Sequence, residues 1–198
     1  MKCRILPRQF YARDAALVAK ELLGKILCRK IGDKILAGRI VETEAYYGAD
    51  DPASRAYGGK KTRLNEGMWA GPGKVFVYMV HNNWMFNIVT GRKNEPAAVL
   101  IRALEPLEGK ALMFKNRQKR NPKVRHEKEL CSGPGKLSQC FAVNRSLQSV
   151  DVTKPGKIFV TEGSRQNFHI AKSHRIGVRH DLKRKLRFYI KGNKFVSK

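Results

Sequence analysis

The stretch Arg39-Ile40-Val41-Glu42-Thr43-Glu44-Ala45-Tyr46 mixes β-branched, acidic and aromatic residues in alternation, and it reads as a strand. Successive side chains of a strand point to opposite faces. Glu42, Glu44 and Tyr46 therefore share one face, and Val41, Thr43 and Ala45 share the other. A carboxylate two residues from a tyrosine stands roughly 7 Å along the strand from a stacking surface. That is close to the reach from the face of a flat heterocycle to the bond joining it to its sugar. Most Glu residues in a basic protein serve in an ordinary ion pair. This strand is flanked by apolar residues, so Glu44 is expected to be partly buried, and a buried carboxylate needs a partner or a task.

Around this acidic strand the chain is strongly basic. Its 198 residues hold 41 Lys and Arg against 16 Asp and Glu, a formal net charge of +25. Such a field draws polyanions, with nucleic acid the first candidate and an anionic membrane surface the rival. At 42% hydrophobic, the chain can bury a sizeable core and is not a disordered polycation. No apolar run approaches the length of a bilayer span, and the N-terminus lacks a signal-peptide core, so a soluble cytoplasmic protein is expected. Cys3, Cys28, Cys131 and Cys140 form no C-x-x-C pair, and His126, Cys131 and Cys140 do not match zinc spacing. Isolated thiols suit a reducing compartment. Neither a metal nor a cofactor is expected.

No internal repeat and no long linker divides the chain, so residues 1–198 read as one domain. Asp14 can cap a helix through Leu17, Val18, Leu22 and Leu23, with Gly24 just past its end. Strand-like runs lie at Ile26–Arg29, Ile35–Tyr46, Val75–His81, Met85–Val89, Ala98–Leu104, Lys157–Thr161, Arg175–Val178 and Leu186–Ile190. Pro106 suits the first turn of a helix through Leu112 and Phe114, and Gly133-Pro134-Gly135 precedes a short helix over Lys136–Ala142. Strands dominate and helices sit at the edges. The pattern predicts a compact α+β domain around a mixed, mainly antiparallel sheet. Two segments read as loops: Gly48–Gly73, rich in turn residues, and Lys115–Glu129, with seven Lys and Arg in 15 residues. The second suits either a solvated basic loop or a phosphate-contacting arm.

Other residues bear on chemistry. Tyr78, in the run Val75–His81, offers a second ring, though a core role suits it equally. In His81-Asn82-Asn83-Trp84, the Asn-Asn pair favours a hairpin turn because Asn tolerates positive φ. His81 then sits near the tip, where a flat side chain on a DNA-facing surface can wedge into a base stack.

The chain resembles the alkyladenine type of 3-methyladenine DNA glycosylases, the purine-excising repair enzymes. The likeness runs through Gly38–Tyr46, Gly67-Met68-Trp69 with Pro72-Gly73, and Val77-Tyr78 to Asn87. It continues through Leu100–Gly109 and Leu130–Leu137, and closes with Arg175–Val178 and Leu186–Tyr189. The resemblance implies that Glu44 activates water, with Arg102 and the backbone carbonyl of Ile176 as its partners in holding that water. Tyr46 and Tyr78 correspond to rings that sandwich a flipped base. Asn87 corresponds to the residue that crowds the guanine amino group. His81 falls where relatives often carry an intercalating tyrosine, in a hairpin one residue shorter. Arg55 stands where many relatives carry a pocket histidine, so this chain adds a cation that bears on cationic alkylated bases.

A monofunctional glycosylase acting on damaged purines in double-stranded DNA follows as the expectation. Lys is abundant, but none is singled out by its surroundings, which favours a water nucleophile over an amine. A monomer is the default for an enzyme acting on one lesion. The rival, a non-catalytic nucleic-acid-binding protein, explains the charge equally well but leaves the Glu42/Glu44/Tyr46 face without a purpose.

Overall fold

The computed structural model describes residues 4–164 and 167–197, so Cys3 lies outside the described residues. In chain order its strands are β1 (Ile26–Ile31), β2 (Lys34–Tyr46), β3 (Val75–Val80), β4 (Asn83–Thr90), β5 (Ala97–Glu108), β6 (Ile158–Thr161), β7 (Ile170–Ser173) and β8 (Arg187–Ile190). The helices are α1 (Arg8–Tyr11), α2 (Ala15–Glu21), α3 (Lys110–Gln118), α4 (Lys128–Cys131) and α5 (Pro134–Cys140). All the strands join one 8-stranded sheet in the order β3-β4-β5-β2-β1-β6, with β8 beside β2 and β7 beside β8.

The strand read from residues 39–46 is the axis of this sheet. One edge of β2 carries β5, while the other carries β1 over Lys34–Arg39 and then β8 over Glu42–Glu44. Because β1 and β8 share one edge in succession, the sheet curls around β2. Every pairing among the described strands is antiparallel, which narrows the expected mixed sheet. The β2–β5 ladder slips three times, between Ala37 and Gly38, between Ile40 and Glu42, and again between Glu42 and Thr43. Val41 is the extra residue on β2, and Leu107 and Arg102 are the extra residues on β5. A bulged residue leaves the ladder and its side chain is re-aimed.

Helix α2 begins at a capped end: the Asp14 carboxylate accepts the N–H groups of Ala16 (2.9 Å) and Leu17 (3.0 Å), and Gly24 follows the helix. Its face of Ala15, Val18 and Ala19 is buried, and Thr43 Oγ1 of β2 donates to the Ala19 carbonyl at 2.8 Å. Together with Tyr11, Leu22, Leu27, Ile40, Val41, Phe86 and Phe141 these residues belong to a continuous core. Among the described residues no helix is long and apolar enough to cross a membrane.

Three expected elements differ. Pro106 does not open a helix; it lies within β5 opposite Gly38, and α3 starts at Lys110. Gly38 lets the strands approach there, since a Cβ on it would stand 3.0 Å from Leu104 Cβ. The basic segment 115–129 is not wholly a loop: its start belongs to α3 and its end to α4, with Arg117 and Val124 buried. Arg175–Val178 forms no strand. Gly177 takes φ +74°, outside the extended region, and the Arg175 side chain is drawn into buried ion pairs; the strand in this region is β7.

Candidate active site

Glu44 lies midway across the sheet, in register with Leu100 on one side and Arg187 on the other, while Leu100 is in turn opposite Asn87. Cross-strand partners share a face, so Asn87, Leu100, Glu44 and Arg187 form one row. Tyr46 lies two residues along β2 from Glu44 on the same face.

The Glu44 carboxylate is fully buried, more so than the sequence suggested. Each oxygen has a donor. The Tyr46 hydroxyl donates to Oε2 at 2.8 Å, and the Ile176 backbone N–H donates to Oε1 at 2.8 Å. Arg102 Nη1 stands 3.2 Å from Oε2. Burial pushes the Glu44 carboxyl above the ordinary carboxylate range. Arg102, the Ile176 N–H and the Tyr46 hydroxyl pull it back, Glu42 adds to the push, and burial prevails. The Tyr46 hydroxyl is raised by burial and by Glu44, so it serves as a neutral donor. The contact seen at Ile176 is made by its amide rather than by its carbonyl.

Arg102, released by the bulge, bridges the two acids of the strand. Its Nε donates to Glu42 Oε1 at 2.9 Å while Nη1 faces Glu44. Burial works against the Arg102 charge, but Glu44 and Glu42 outweigh it. Glu42 is also fully buried, and it accepts from Arg187 Nε (2.7 Å), Ser197 N–H (2.7 Å) and Ser197 Oγ (2.8 Å). It anchors Arg102 and leaves Glu44 as the acid turned toward Tyr46.

A second buried hub holds Ile176 in place. Arg175 meets Asp51 in a two-pronged pair, Nη1 to Oδ2 at 2.6 Å and Nη2 to Oδ1 at 2.7 Å. It also donates to Asp181 Oδ1 from Nε at 2.9 Å and from Nη2 at 2.7 Å, and to the Ala45 carbonyl at 3.0 Å. Its guanidinium lies 4.6 Å above the centre of the Tyr46 ring. The segment after β7 is thereby clamped over the end of β2, which delivers the Ile176 amide to Glu44. Neither this hub nor the Glu42–Arg187–Ser197 contacts were foreseen from the sequence. Partners 124 residues apart give no local pattern, and the only signal was the Arg175-Ile176 adjacency.

The remaining expected residues gather nearby, with distinct surroundings. Tyr46 and Tyr78 pack on one apolar cluster with Met85 and Leu100. Asn87 is buried, and its Nδ2 donates to the carbonyls of Phe76 (3.2 Å) and Met85 (3.3 Å). Arg55 is exposed, and its guanidinium lies 4.6 Å above the centre of the Tyr78 ring. A cavity of about 450 Å³ has Arg55, Tyr78, Phe76, Trp84 and Arg145 in its wall; Glu44 and Tyr46 are not part of that wall. His81 and Asn82 form the turn between β3 and β4, both with positive φ (46° and 60°), and both are exposed. The expected hairpin is present, but its turn pair is His81-Asn82 rather than Asn82-Asn83, since Asn83 opens β4 opposite Val80. Its base is braced on α5, where Gln139 Nε2 donates to Asn83 Oδ1 at 2.6 Å.

Comparison with known proteins places the chain in a family. The family profile described as Methylpurine-DNA glycosylase (MPG) matches residues 9–194. A Desulfitobacterium hafniense protein provisionally named 3-methyladenine DNA glycosylase is 40% identical over 199 residues, covering 97% of this chain and 98% of that protein. A Clostridium perfringens protein of the same provisional name is 41% identical over 202 residues, covering 98% of each. With the profile spanning nearly the whole chain and relatives alike from end to end, the chain belongs to the methylpurine-DNA glycosylase family and is a DNA glycosylase.

Proposed function

We propose that the protein turns damaged purines out of duplex DNA and hydrolyses their N-glycosidic bond with a water activated by Glu44. The substrate class is purines carrying a methyl, etheno or deamination lesion. It includes the 3-methyladenine of the relatives' names, along with 7-methylguanine, hypoxanthine and ethenoadenine. The observation that carries the reading is the Glu44 carboxylate, buried and held at both oxygens, beside a ring cluster that contains Tyr46 and Tyr78.

A base inside a duplex is out of reach, so the nucleotide must rotate out, at an expense of a few kcal/mol that is least for damaged or mispaired bases. His81, at the exposed hairpin tip, fills the gap in the stack. Lys and Arg on the surface hold phosphates without regard to sequence. Glu44 has no exposed surface, so the entering base parts the side chains that cover it. The base then stacks on Tyr46 and Tyr78, with Asn87 fixed by two backbone carbonyls to exclude the guanine amino group.

In the chemical step the C–N bond breaks and its electron pair leaves with the base. Positive charge develops on the sugar, as in glycoside hydrolysis. Ionised Glu44 stabilises that charge, and water attacks the anomeric carbon as its proton passes to Glu44. Arg102 and the Ile176 carbonyl hold the water, while the Ile176 amide fixes the carboxylate. Purines alkylated at N3 or N7 already carry the positive charge that makes them good leaving groups. Hypoxanthine requires a proton or strong hydrogen bonds as it departs.

A panel of duplexes, each with one lesion, tests this. Free base is expected without added metal, and nicks only after alkali. No release from any duplex contradicts the reading, and nicks without alkali replace the water nucleophile with an amine.

A further inference from the structure

Both rings beside Glu44 carry a guanidinium, but the two charges stand in different company. Arg175, over Tyr46, has no exposed side-chain surface and is paired with Asp51 and Asp181. Arg55, over Tyr78, is exposed and makes no ion pair among the described residues.

The surrounding charges give this difference a consequence. Around the site, Glu42, Glu44, Asp51 and Asp181 face Arg102, Arg175 and Arg187, with His174 at the rim of Asp181. With Glu44 ionised, these carboxylates exceed these guanidiniums by one, while Arg63 and Arg145 against Glu66 line the cavity beside Tyr78. Arg55 is the cation that stands directly over the Tyr78 ring. A base on the open face of Tyr78 lies about 8 Å from the guanidinium, adding one stacking distance to the observed separation, and a base on the occupied face must displace it. Either way a cationic purine meets a like charge that a neutral purine does not.

We infer that Arg55 is a specificity-determining residue that shifts this site away from cationic alkylpurines and toward neutral lesions such as hypoxanthine and ethenoadenine. The inference rests on the base-excision reading above and names which part of its substrate class the site favours. At about 8 Å and intermediate screening, one like charge changes the cationic-to-neutral ratio roughly fivefold.

The test compares wild type, Arg55→Gln and Arg55→Lys on two duplexes that differ only in one base, cationic 7-methylguanine or neutral hypoxanthine. Single-turnover release by Arg55→Gln is expected to raise the 7-methylguanine-to-hypoxanthine rate ratio roughly fivefold, while Arg55→Lys keeps the wild-type ratio. A ratio that is unchanged or lowered in Arg55→Gln overturns the inference. The same ratio is also read as binding affinity in Glu44→Gln and Glu44→Gln/Arg55→Gln proteins. If wild type releases neither base, the excision reading fails, and the binding ratio still decides on Arg55: a rise upholds the inference and a flat ratio overturns it.

Discussion

The base role proposed for Glu44 requires its charge, yet the fold removes the carboxylate wholly from water. Arg102, the Ile176 amide and the Tyr46 hydroxyl hold the charge without fully offsetting burial, so its carboxyl titrates above the ordinary range. A base with a raised pKa takes up a proton from water more readily. Base release should therefore fall on the acid side at a pH above that of an ordinary Glu, near 4.3, and Arg102→Gln should move that limb higher still. Single-turnover rates against pH check this, and a limb at or below the ordinary value speaks against it. The stability linkage has the corresponding sign. Because the folded pKa is raised, the Glu44 contribution favours the fold at low pH and is lost as pH rises through the folded pKa. Alternation alone put Glu42, Glu44 and Tyr46 on one face. Arg102 was legible only through family likeness, because nothing in the apolar run of β5 announces the bulge that releases its side chain.

At the scale of elements, the site is assembled by two devices, the paired bulges of β2 and β5 and the clamp of Arg175 on Asp51 and Asp181. The clamp is the more exposed to mutation. Asp51 and the Arg175 side chain are both fully buried, and removing one partner leaves an uncompensated charge. Asp51→Asn is expected to destabilise the protein by about 3–5 kcal/mol, measured by chemical denaturation. Loss of less than about 1 kcal/mol, the size of a surface pair, contradicts a clamp role. Local signals found the Asp14 cap, the β3–β4 hairpin to within one residue and most strands, because each is fixed by neighbours in sequence. They failed at Pro106, whose place in β5 depends on Gly38 across the ladder. They failed again at Arg175–Val178, where distant carboxylates decide the path of the chain.

For the molecule as a whole, one curled sheet brings residues from Glu44 to Ile176 to a single face, on a chain carrying a net charge of +25. If that charge grips phosphates, affinity for undamaged duplex should fall with log slope of about 0.9 per neutralised phosphate as salt rises. A flat response in a filter-binding or anisotropy titration contradicts the electrostatic grip. The proposed function gives site and surface separate duties, the surface to hold any duplex and Glu44 at the centre of the sheet to perform the chemistry. Glu44→Gln separates them most directly. Single-turnover excision from a duplex holding one damaged purine should drop by about 10³-fold or more, in line with loss of a general base together with a charge stabiliser. Affinity for the same duplex should stay within severalfold of wild type. Excision near the wild-type rate by the Gln variant would remove Glu44 from the chemistry.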